Sequence, residues 1–178
     1  MGQLCSDCCK RPVCRIVILG LDEAGKMYLY SNLTNKKEEH KNELVYKHDE
    51  IKLNGMSIFL CSVLGDEKAR NLWSVQIQNS DGIIFVVDIS NEASYKEITE
   101  EFQRIMDVKA FTEGMNILLL CNNGLKTDRE YREVGDAIFS PFLENPGIRI
   151  NYCSIEEWLF IDDGLEWLCE RIKTKNEH

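Results

Sequence analysis

The stretch RIVILGLDEAGKMYLYSNL, residues 15–33, decides how this chain folds. Its first five residues form a β-branched apolar run that predicts a buried strand ending at Gly20. The residues from Lys26 to about Leu33 predict a helix. Between them lies GLDEAGKM, in which the glycines let backbone N–H groups wrap an anion and the helix N-terminus adds partial positive charge. This context predicts a phosphate-binding loop; the alternative is an ordinary strand-to-helix turn with an incidental lysine.

The rest of the chain alternates in the same way between apolar strands and amphipathic helices. Further strands are predicted at 44–53, 56–63, 83–89, 116–121 and 148–153. Asn54-Gly55 predicts a hairpin between the first two of them. Helices are predicted at about 67–78, 92–110, 129–143 and 163–173. The pattern is typical of an α/β fold with a mostly parallel sheet, helices on both faces and one antiparallel hairpin at the edge.

The composition is that of one folded domain. The chain has 178 residues, of which 44% are hydrophobic and 29% charged, and these fractions exclude an intrinsically disordered protein. The net charge of −9 argues against a general nucleic-acid binder. No apolar run approaches the roughly 18 residues of a membrane span, and the first fifteen residues lack the apolar core of a secretory signal.

The eight cysteines form two groups. One group lies in apolar stretches and is predicted to consist of small buried side chains in a reducing compartment: Cys61, Cys121, Cys153 and Cys169. The other four lie within the first fourteen residues. We therefore expect a cysteine-rich extension at 1–14 and a single domain at 15–178.

The extension has the features of a lipid anchor. MGQLCS at the start fits the myristoylation pattern, with the acyl group on Gly2. One myristoyl chain binds a membrane only marginally, so a second signal is needed. Palmitoylation of Cys5, Cys8 and Cys9 would supply it, assisted by the basic residues Lys10, Arg11 and Arg15. Two alternatives remain open, namely a zinc site that adds Cys14 to the same three thiols and an unmodified disordered leader.

Five strings of this chain resemble the ADP-ribosylation factor (Arf and Arf-like) branch of the Ras-type small GTPases. In order along the chain they are RIVILGLDEAGK (15–26), LGDEKARNLW (64–73), QNSDGIIFVVD (78–88), NILLLCNN (116–123) and GLEWL (164–168). The resemblance runs from about Arg15 to Ile172. It implies a P-loop G domain of six strands and five helices, GTP or GDP with Mg²⁺ as ligands, and a membrane-associated regulator of vesicle traffic.

Three residues differ from that family at the positions that bind the metal or orient the attacking water. Met27 stands where a Ser or Thr hydroxyl binds Mg²⁺, and a thioether is a poor ligand for this hard ion. Ser62 replaces the aspartate that holds Mg²⁺ through water, and Asp66 replaces the glutamine that orients the attacking water. The threonine of the first switch falls near Glu43. We therefore expect doubtful Mg²⁺ binding and little or no hydrolysis.

The guanine-reading motif is also altered. Asn122 is retained, but Leu125 replaces the aspartate that accepts two hydrogen bonds from guanine. Such bonds contribute about 1.5–3 kcal/mol each, so guanine affinity or selectivity is expected to fall by roughly a hundredfold or more. Asp128 could substitute only after a rearrangement of the loop. By resemblance, the candidate cofactor-binding residues are Gly20, Asp22, Glu23, Ala24, Gly25, Lys26, Met27, Gly65, Asn122, Asn123, Leu125, Cys153 and Ser154.

Two functions remain open at this point. The retained loop, Gly65 and Asn122 favour a GTP-regulated membrane-traffic switch. The alternative is a pseudo-GTPase that serves as a membrane-anchored interaction module, and it is favoured by four replaced residues: Met27, Ser62, Asp66 and Leu125. Effector or regulator proteins are expected on the face around Tyr46 and Trp73. The aromatic triad of the family falls at Tyr46, Cys61 and Gln76. We expect a monomer, peripheral on Golgi-type endomembranes or the plasma membrane and exposed to the cytoplasm.

Overall fold

The computed structural model of the chain describes residues 13–36, 45–108, 114–123 and 129–176. Several predicted functional residues lie outside these ranges. They are the lipidation candidates Gly2, Cys5, Cys8 and Cys9, the first-switch position Glu43, and Leu125 and Asp128 of the guanine-reading motif.

Six strands form one sheet in the order β2-β3-β1-β4-β5-β6. They are β1 (Cys14–Leu19), β2 (Tyr46–Leu53), β3 (Met56–Val63), β4 (Gly82–Asp88), β5 (Asn116–Asn122) and β6 (Ile148–Cys153). Every neighbouring pair is parallel except the β2–β3 hairpin at the edge. The predicted α/β class and its antiparallel edge hairpin are therefore confirmed.

Five α-helices are found in the described part of the chain: α1 (Lys26–Thr34), α2 (Trp73–Gln78), α3 (Tyr95–Met106), α4 (Arg129–Phe139) and α5 (Asp162–Asn176). Three predicted helices are partly wrong, because short 3₁₀ turns occupy Ala69–Leu72, Glu92–Ser94 and Ser140–Phe142. The third case has a simple cause. Pro141 lacks an N–H and disfavours helical geometry in the residue before it, so the α-helix ends at Phe139.

The helices cover both faces of the sheet. One face packs against α1 and α5 through residues such as Leu29 and Leu168. The other packs against α2, α3 and α4, where the rings of Trp73, Phe85 and Phe102 follow one another at centroid distances of 6.1 Å and 5.3 Å. Burial on both faces explains why the central strands are uniformly apolar. None of the helices among the described residues is long and apolar enough to span a membrane.

The scattered cysteines are buried, as predicted: Cys61, Cys121, Cys153 and Cys169. Burial raises the pKa of Cys61 to about 11 and that of Cys153 to about 12, so both thiols stay neutral at physiological pH. Cys14 corrects the expected boundary of the extension. It begins β1, lies opposite Ile58 of β3 and is buried, so it belongs to the folded domain.

Candidate phosphate and nucleotide site

The loop between β1 and α1 has the geometry of a phosphate-binding loop. Gly20 has a φ of 145°, and a Cβ at this position would lie 2.2 Å from the carbonyl oxygen of Val86. Only glycine therefore fits where the chain leaves β1. The loop ends at Gly25, and α1 begins at Lys26 with its free N–H groups directed toward the loop. This backbone is compatible with the phosphate-binding loop predicted from the sequence.

Lys26 is buried beneath the loop, with only 7% of its surface exposed. Its ammonium group donates a hydrogen bond of 2.5 Å to the carbonyl oxygen of Leu21. Burial lowers the pKa of Lys26 to about 8, and the charge of Asp22 opposes this shift. The lysine is therefore charged at neutral pH but close to the point at which it loses its proton.

Gly65 packs directly against the phosphate loop. A Cβ here would lie 2.4 Å from the carbonyl carbon of Leu21 and 2.5 Å from the nitrogen of Asp22, so a larger residue would force the two segments apart. The Gly65 N–H, which the family resemblance directs to a terminal phosphate, donates instead to Asp22 Oδ1 at 3.1 Å. A carboxylate of the loop thus binds the amide that a phosphate would need.

A cleft of about 360 Å³ lies beside the loop. Met27 and Ser62, the residues at the two positions that the family resemblance assigns to the metal, both line it. The lining also includes Asp22, Glu23, Gly25, Lys26, Tyr28, Lys47, Val63 and Leu64. No cluster of three His, Cys, Asp or Glu residues suited to a metal ion occurs in the described ranges. The lining offers Mg²⁺ the carboxylates of Asp22 and Glu23 and the Ser62 hydroxyl, but Asp22 already accepts a hydrogen bond from the Gly65 N–H. Since the lining also contains a thioether and two ammonium groups, the residues are a poor fit for an ion that prefers several oxygen ligands.

Asp66 is bonded within its own segment. Its Oδ1 accepts hydrogen bonds from the backbone N–H groups of Lys68 at 2.9 Å and Ala69 at 3.0 Å. Asp66 therefore caps the start of the 3₁₀ turn, where free N–H groups favour a carboxylate. It does not line the cleft.

Arg70 is a residue of this region that the sequence patterns did not reveal. Its Nε donates to the Gly65 carbonyl at 2.6 Å, and its Nη1 contacts Glu97 at 2.7 Å and Glu101 at 3.2 Å. The two glutamates follow Arg70 by 27 and 31 residues. No local motif joins residues so far apart, so only the fold brings them together. Arg70 ties the backbone after β3 to α3.

The base-binding end is organised by Asn122. Its Nδ2 donates to the Ala24 carbonyl at 3.3 Å, and its Oδ1 accepts from the Ile155 N–H at 3.0 Å. The side chain thus joins the phosphate loop to the segment after β6. Asn123 donates to Asp88 Oδ1 at 3.0 Å.

The residues after β6 form a closed turn. Cys153 is fully buried, and Ser154 pairs with Leu159 through two backbone hydrogen bonds of 2.9 Å and 3.2 Å. The Ser154 hydroxyl accepts from the Glu157 N–H at 3.3 Å. Cys153 and Ser154, both candidate cofactor-binding residues, therefore lie beside Asn122, and Ser154 is held by its own turn.

A sequence model of the ADP-ribosylation factor family matches residues 4–172, which is nearly the whole chain. The protein belongs to the Arf family. Its structure is similar to that of the Arl6 (BBS3) small GTPase from Trypanosoma brucei, solved with the nucleotide analogue GppNp. The TM-score is 0.75 at 20% identity, over 92% of this chain and 99% of that chain. At this identity the likeness shows the fold, and an Arf GTPase fold implies binding of a guanine nucleotide.

The surface on which Arf resemblance predicted effectors is only partly exposed. Tyr46 is 47% exposed, but Trp73 is only 3% exposed, and its Nε1 donates to the Leu64 carbonyl at 3.1 Å. Of the two residues that mark the expected partner surface, Tyr46 is therefore exposed, whereas the Trp73 side chain belongs to the core. The second triad position, Cys61, is buried and contacts Gln76, with its sulfur 3.8 Å from Oε1.

Tyr46 begins a row of three aromatic rings on one face of the sheet, in which Tyr46 and His48 are exposed and Phe59 is half-buried. His48 stacks between Tyr46 and Phe59, with centroid distances of 5.9 Å and 5.2 Å. The guanidinium of Arg15 lies 5.1 Å from the Phe59 centroid. This aromatic row is a surface that the triad positions alone did not predict.

Proposed function

We propose that this Arf-family protein binds a guanine nucleotide with little or no hydrolysis and acts as a membrane-associated regulator of vesicle traffic. The observation that carries the loss of hydrolysis is the position of Asp66. Its carboxylate caps the 3₁₀ turn through Lys68 and Ala69 and does not line the cleft. A group bonded in this way is not free to orient an attacking water.

The chemistry of the cleft supports the same proposal. Met27 and Ser62 offer no strong ligand for the metal that neutralises charge during phosphoryl transfer. Without that neutralisation and without an oriented water, two separate contributions to the rate are missing. Restoring one of them alone is therefore not expected to restore turnover.

A single-turnover assay with radiolabelled GTP tests the proposal. The wild type and Asp66→Gln are expected to release no phosphate above the rate of GTP in buffer. The triple variant Met27→Thr, Ser62→Asp, Asp66→Gln is expected to hydrolyse GTP measurably in Mg²⁺. Glu67→Gln, a change in the adjacent exposed carboxylate, serves as the control. Wild-type hydrolysis that depends on Mg²⁺ would contradict the proposal.

The second candidate, a pseudo-GTPase with no nucleotide cycle, is favoured by the bond between Asp22 and the Gly65 amide. A terminal phosphate would have to displace this carboxylate. Calorimetric titration with GTP, GDP and ATP, each with Mg²⁺ and with EDTA, separates the two candidates. Uptake of GDP or GTP supports the nucleotide-binding protein, and uptake of none of the three supports the pseudo-GTPase.

Membrane attachment is proposed through Gly2, followed by Cys5, Cys8 and Cys9, all of which lie outside the described residues. Metabolic labelling with an alkyne myristate is expected to mark the wild type and not Gly2→Ala. In the Cys5, Cys8, Cys9→Ser variant, a palmitate anchor predicts a shift to the cytosolic fraction. Equal labelling of the wild type and Gly2→Ala would remove Gly2 from the proposal.

Partner proteins are proposed to contact the aromatic row at Tyr46, His48 and Phe59. A partner that co-purifies with the wild-type chain is expected to be lost from Tyr46→Ala. It should remain bound to Leu143→Ala, which alters a comparably exposed apolar side chain elsewhere. Retention of the partner by both variants would remove this surface from the proposal.

A further inference from the structure

The cleft that Met27 and Ser62 line also contains a lysine that the family resemblance did not identify. Lys47 of β2 lies directly opposite Ser62 of β3 in the antiparallel hairpin. Side chains of directly opposite residues share one face of a sheet, with Cβ atoms about 4.5–5.5 Å apart. The ammonium group of Lys47 therefore belongs to the same side of the hairpin as the residue at the former metal-binding position.

A second contact shows that this is the face of the sheet that packs against α1. Asp49 follows Lys47 by two residues and accepts a hydrogen bond of 2.7 Å from the Tyr30 hydroxyl of α1. Since alternate residues of a strand point to the same face, Lys47 is directed toward α1 as well. The first turn of α1 contains Met27, and Lys47, Met27, Ser62 and Lys26 all line the one cleft.

The charged side chains at the cleft are balanced in number, and they differ in how far they are already bonded. The lining has two lysines, Lys26 and Lys47, and two carboxylates, Asp22 and Glu23. Asp22 is engaged by the Gly65 N–H and by the charge of Lys26. Lys47 is half-buried and has no ion pair among the residues that the structure describes. A divalent cation here would meet the Lys47 ammonium group, and with Asp22 already bonded it would find Glu23 as the one remaining carboxylate of the lining.

We infer that Lys47 takes the place of the divalent cation, so that the cleft holds the phosphates of a nucleoside diphosphate or triphosphate without Mg²⁺. An ammonium group is a compact charge with three donors that binds phosphate oxygens directly. In this arrangement Lys26 contacts phosphate oxygens on the buried side of the phosphate chain, and Lys47 contacts phosphate oxygens on its outer side. The inference rests on the proposed nucleotide binding and adds the residue that makes it independent of metal.

Calorimetric titration with GDP, in excess EDTA and separately in Mg²⁺, tests the inference on the full chain. The wild type is expected to bind GDP equally in both buffers, within about twofold. Lys47→Ala is expected to lose roughly ten- to a hundredfold in affinity in EDTA, because one charge-assisted contact to phosphate is removed. Lys47→Arg, which keeps the charge, should retain most of the affinity.

Lys52→Ala is the matched control. Lys52 lies on the same strand but five residues along, so its side chain projects from the opposite face. Its removal changes the net charge equally and is expected to leave affinity within about twofold of the wild type. Melting curves of all variants by circular dichroism verify that each one folds.

Two results would overturn the inference while leaving nucleotide binding intact: a strict requirement of the wild type for Mg²⁺, or equal affinities of Lys47→Ala and the wild type. If the wild type binds no GDP in either buffer, the proposed nucleotide binding fails, and inorganic tripolyphosphate becomes the probe. Binding of that probe with the same loss in Lys47→Ala would support the metal-free phosphate site alone. Absence of binding would overturn both.

Discussion

The phosphate loop and the segment that follows β3 have diverged in different ways. Residues 20–26 keep the glycines, the helix start and the lysine that a phosphate needs. In residues 62–73, Ser62 and Asp66 stand where the family resemblance places the residues for metal and water. Asp66 is bonded within this segment, and Arg70 is bonded to Gly65 and to α3. The proposed nucleotide binding and the proposed loss of hydrolysis thus depend on separate segments of the chain.

The largest expected effect comes from removing the buried Trp73 side chain, which packs residues 62–73 against the sheet. Trp73→Ala deletes a buried ring beside Phe85 and the hydrogen bond to Leu64, and is expected to lower the free energy of unfolding by about 3–5 kcal/mol. Urea denaturation measures this loss. Val75→Ala, an exposed position on the same helix, should lose less than about 1 kcal/mol. Similar losses in the two variants would show that Trp73 is no anchor.

Asn122→Ala tests whether the phosphate loop depends on the base-binding end. The change leaves the Ala24 carbonyl and the Ile155 N–H without their partner, which is expected to lower the free energy of unfolding by about 1–3 kcal/mol. Urea denaturation in nucleotide-free buffer measures it. Asn123→Ala, whose side chain contacts Asp88 instead, is the neighbouring control. An unchanged unfolding midpoint for Asn122→Ala would mean that the two ends are independent.

The pH dependence of GDP affinity tests the role of Lys26. Burial lowers its pKa to about 8, so the free protein loses this positive charge as the pH rises through that value. Affinity is expected to be nearly constant from pH 6.5 to 7.5 and to fall by up to about tenfold per pH unit above pH 8. Lys26→Arg stays charged and should show a flat profile over that range. A flat wild-type profile would mean that Lys26 does not hold phosphate.

The smallest expected effect concerns the cap formed by Asp66. Asp66→Ala removes both acceptor contacts to the 3₁₀ turn and is expected to cost about 1 kcal/mol of folding free energy. Asp66→Asn keeps an oxygen acceptor and should cost only a few tenths. Paired denaturation curves measure the difference. If Asp66→Ala is as stable as the wild type, the carboxylate is not needed as a cap.

Local sequence patterns predicted the strands, the hairpin and the phosphate loop because each depends on residues close together in the chain. The segment before Trp73 differs from the regular helix that its pattern predicts. A regular helix was predicted from about residue 67, but the segment begins with a tight 3₁₀ turn. Three residues per turn instead of 3.6 change which side chains face the core.

Contacts between distant segments account for the other omissions. Lys47 was not considered for the cleft, because its position there depends on the register of β2 against β3. Arg70 meets Glu101 only after α3 has packed beside the segment that follows β3. In both cases the chemistry of the residue is visible in the sequence, but its neighbours are set by the topology.

The edge strand β2 has one more consequence, which concerns association between copies of the chain. As the outer strand of the sheet, it has one row of backbone N–H and C=O groups that no other strand among the described residues covers. Its sequence, YKHDEIKL, places charged side chains on both faces: Lys47 and Asp49 on one, Glu50 and Lys52 on the other. Charged residues make an edge a poor template for another strand. The lysine assigned to phosphate therefore also helps to protect the sheet from aggregation.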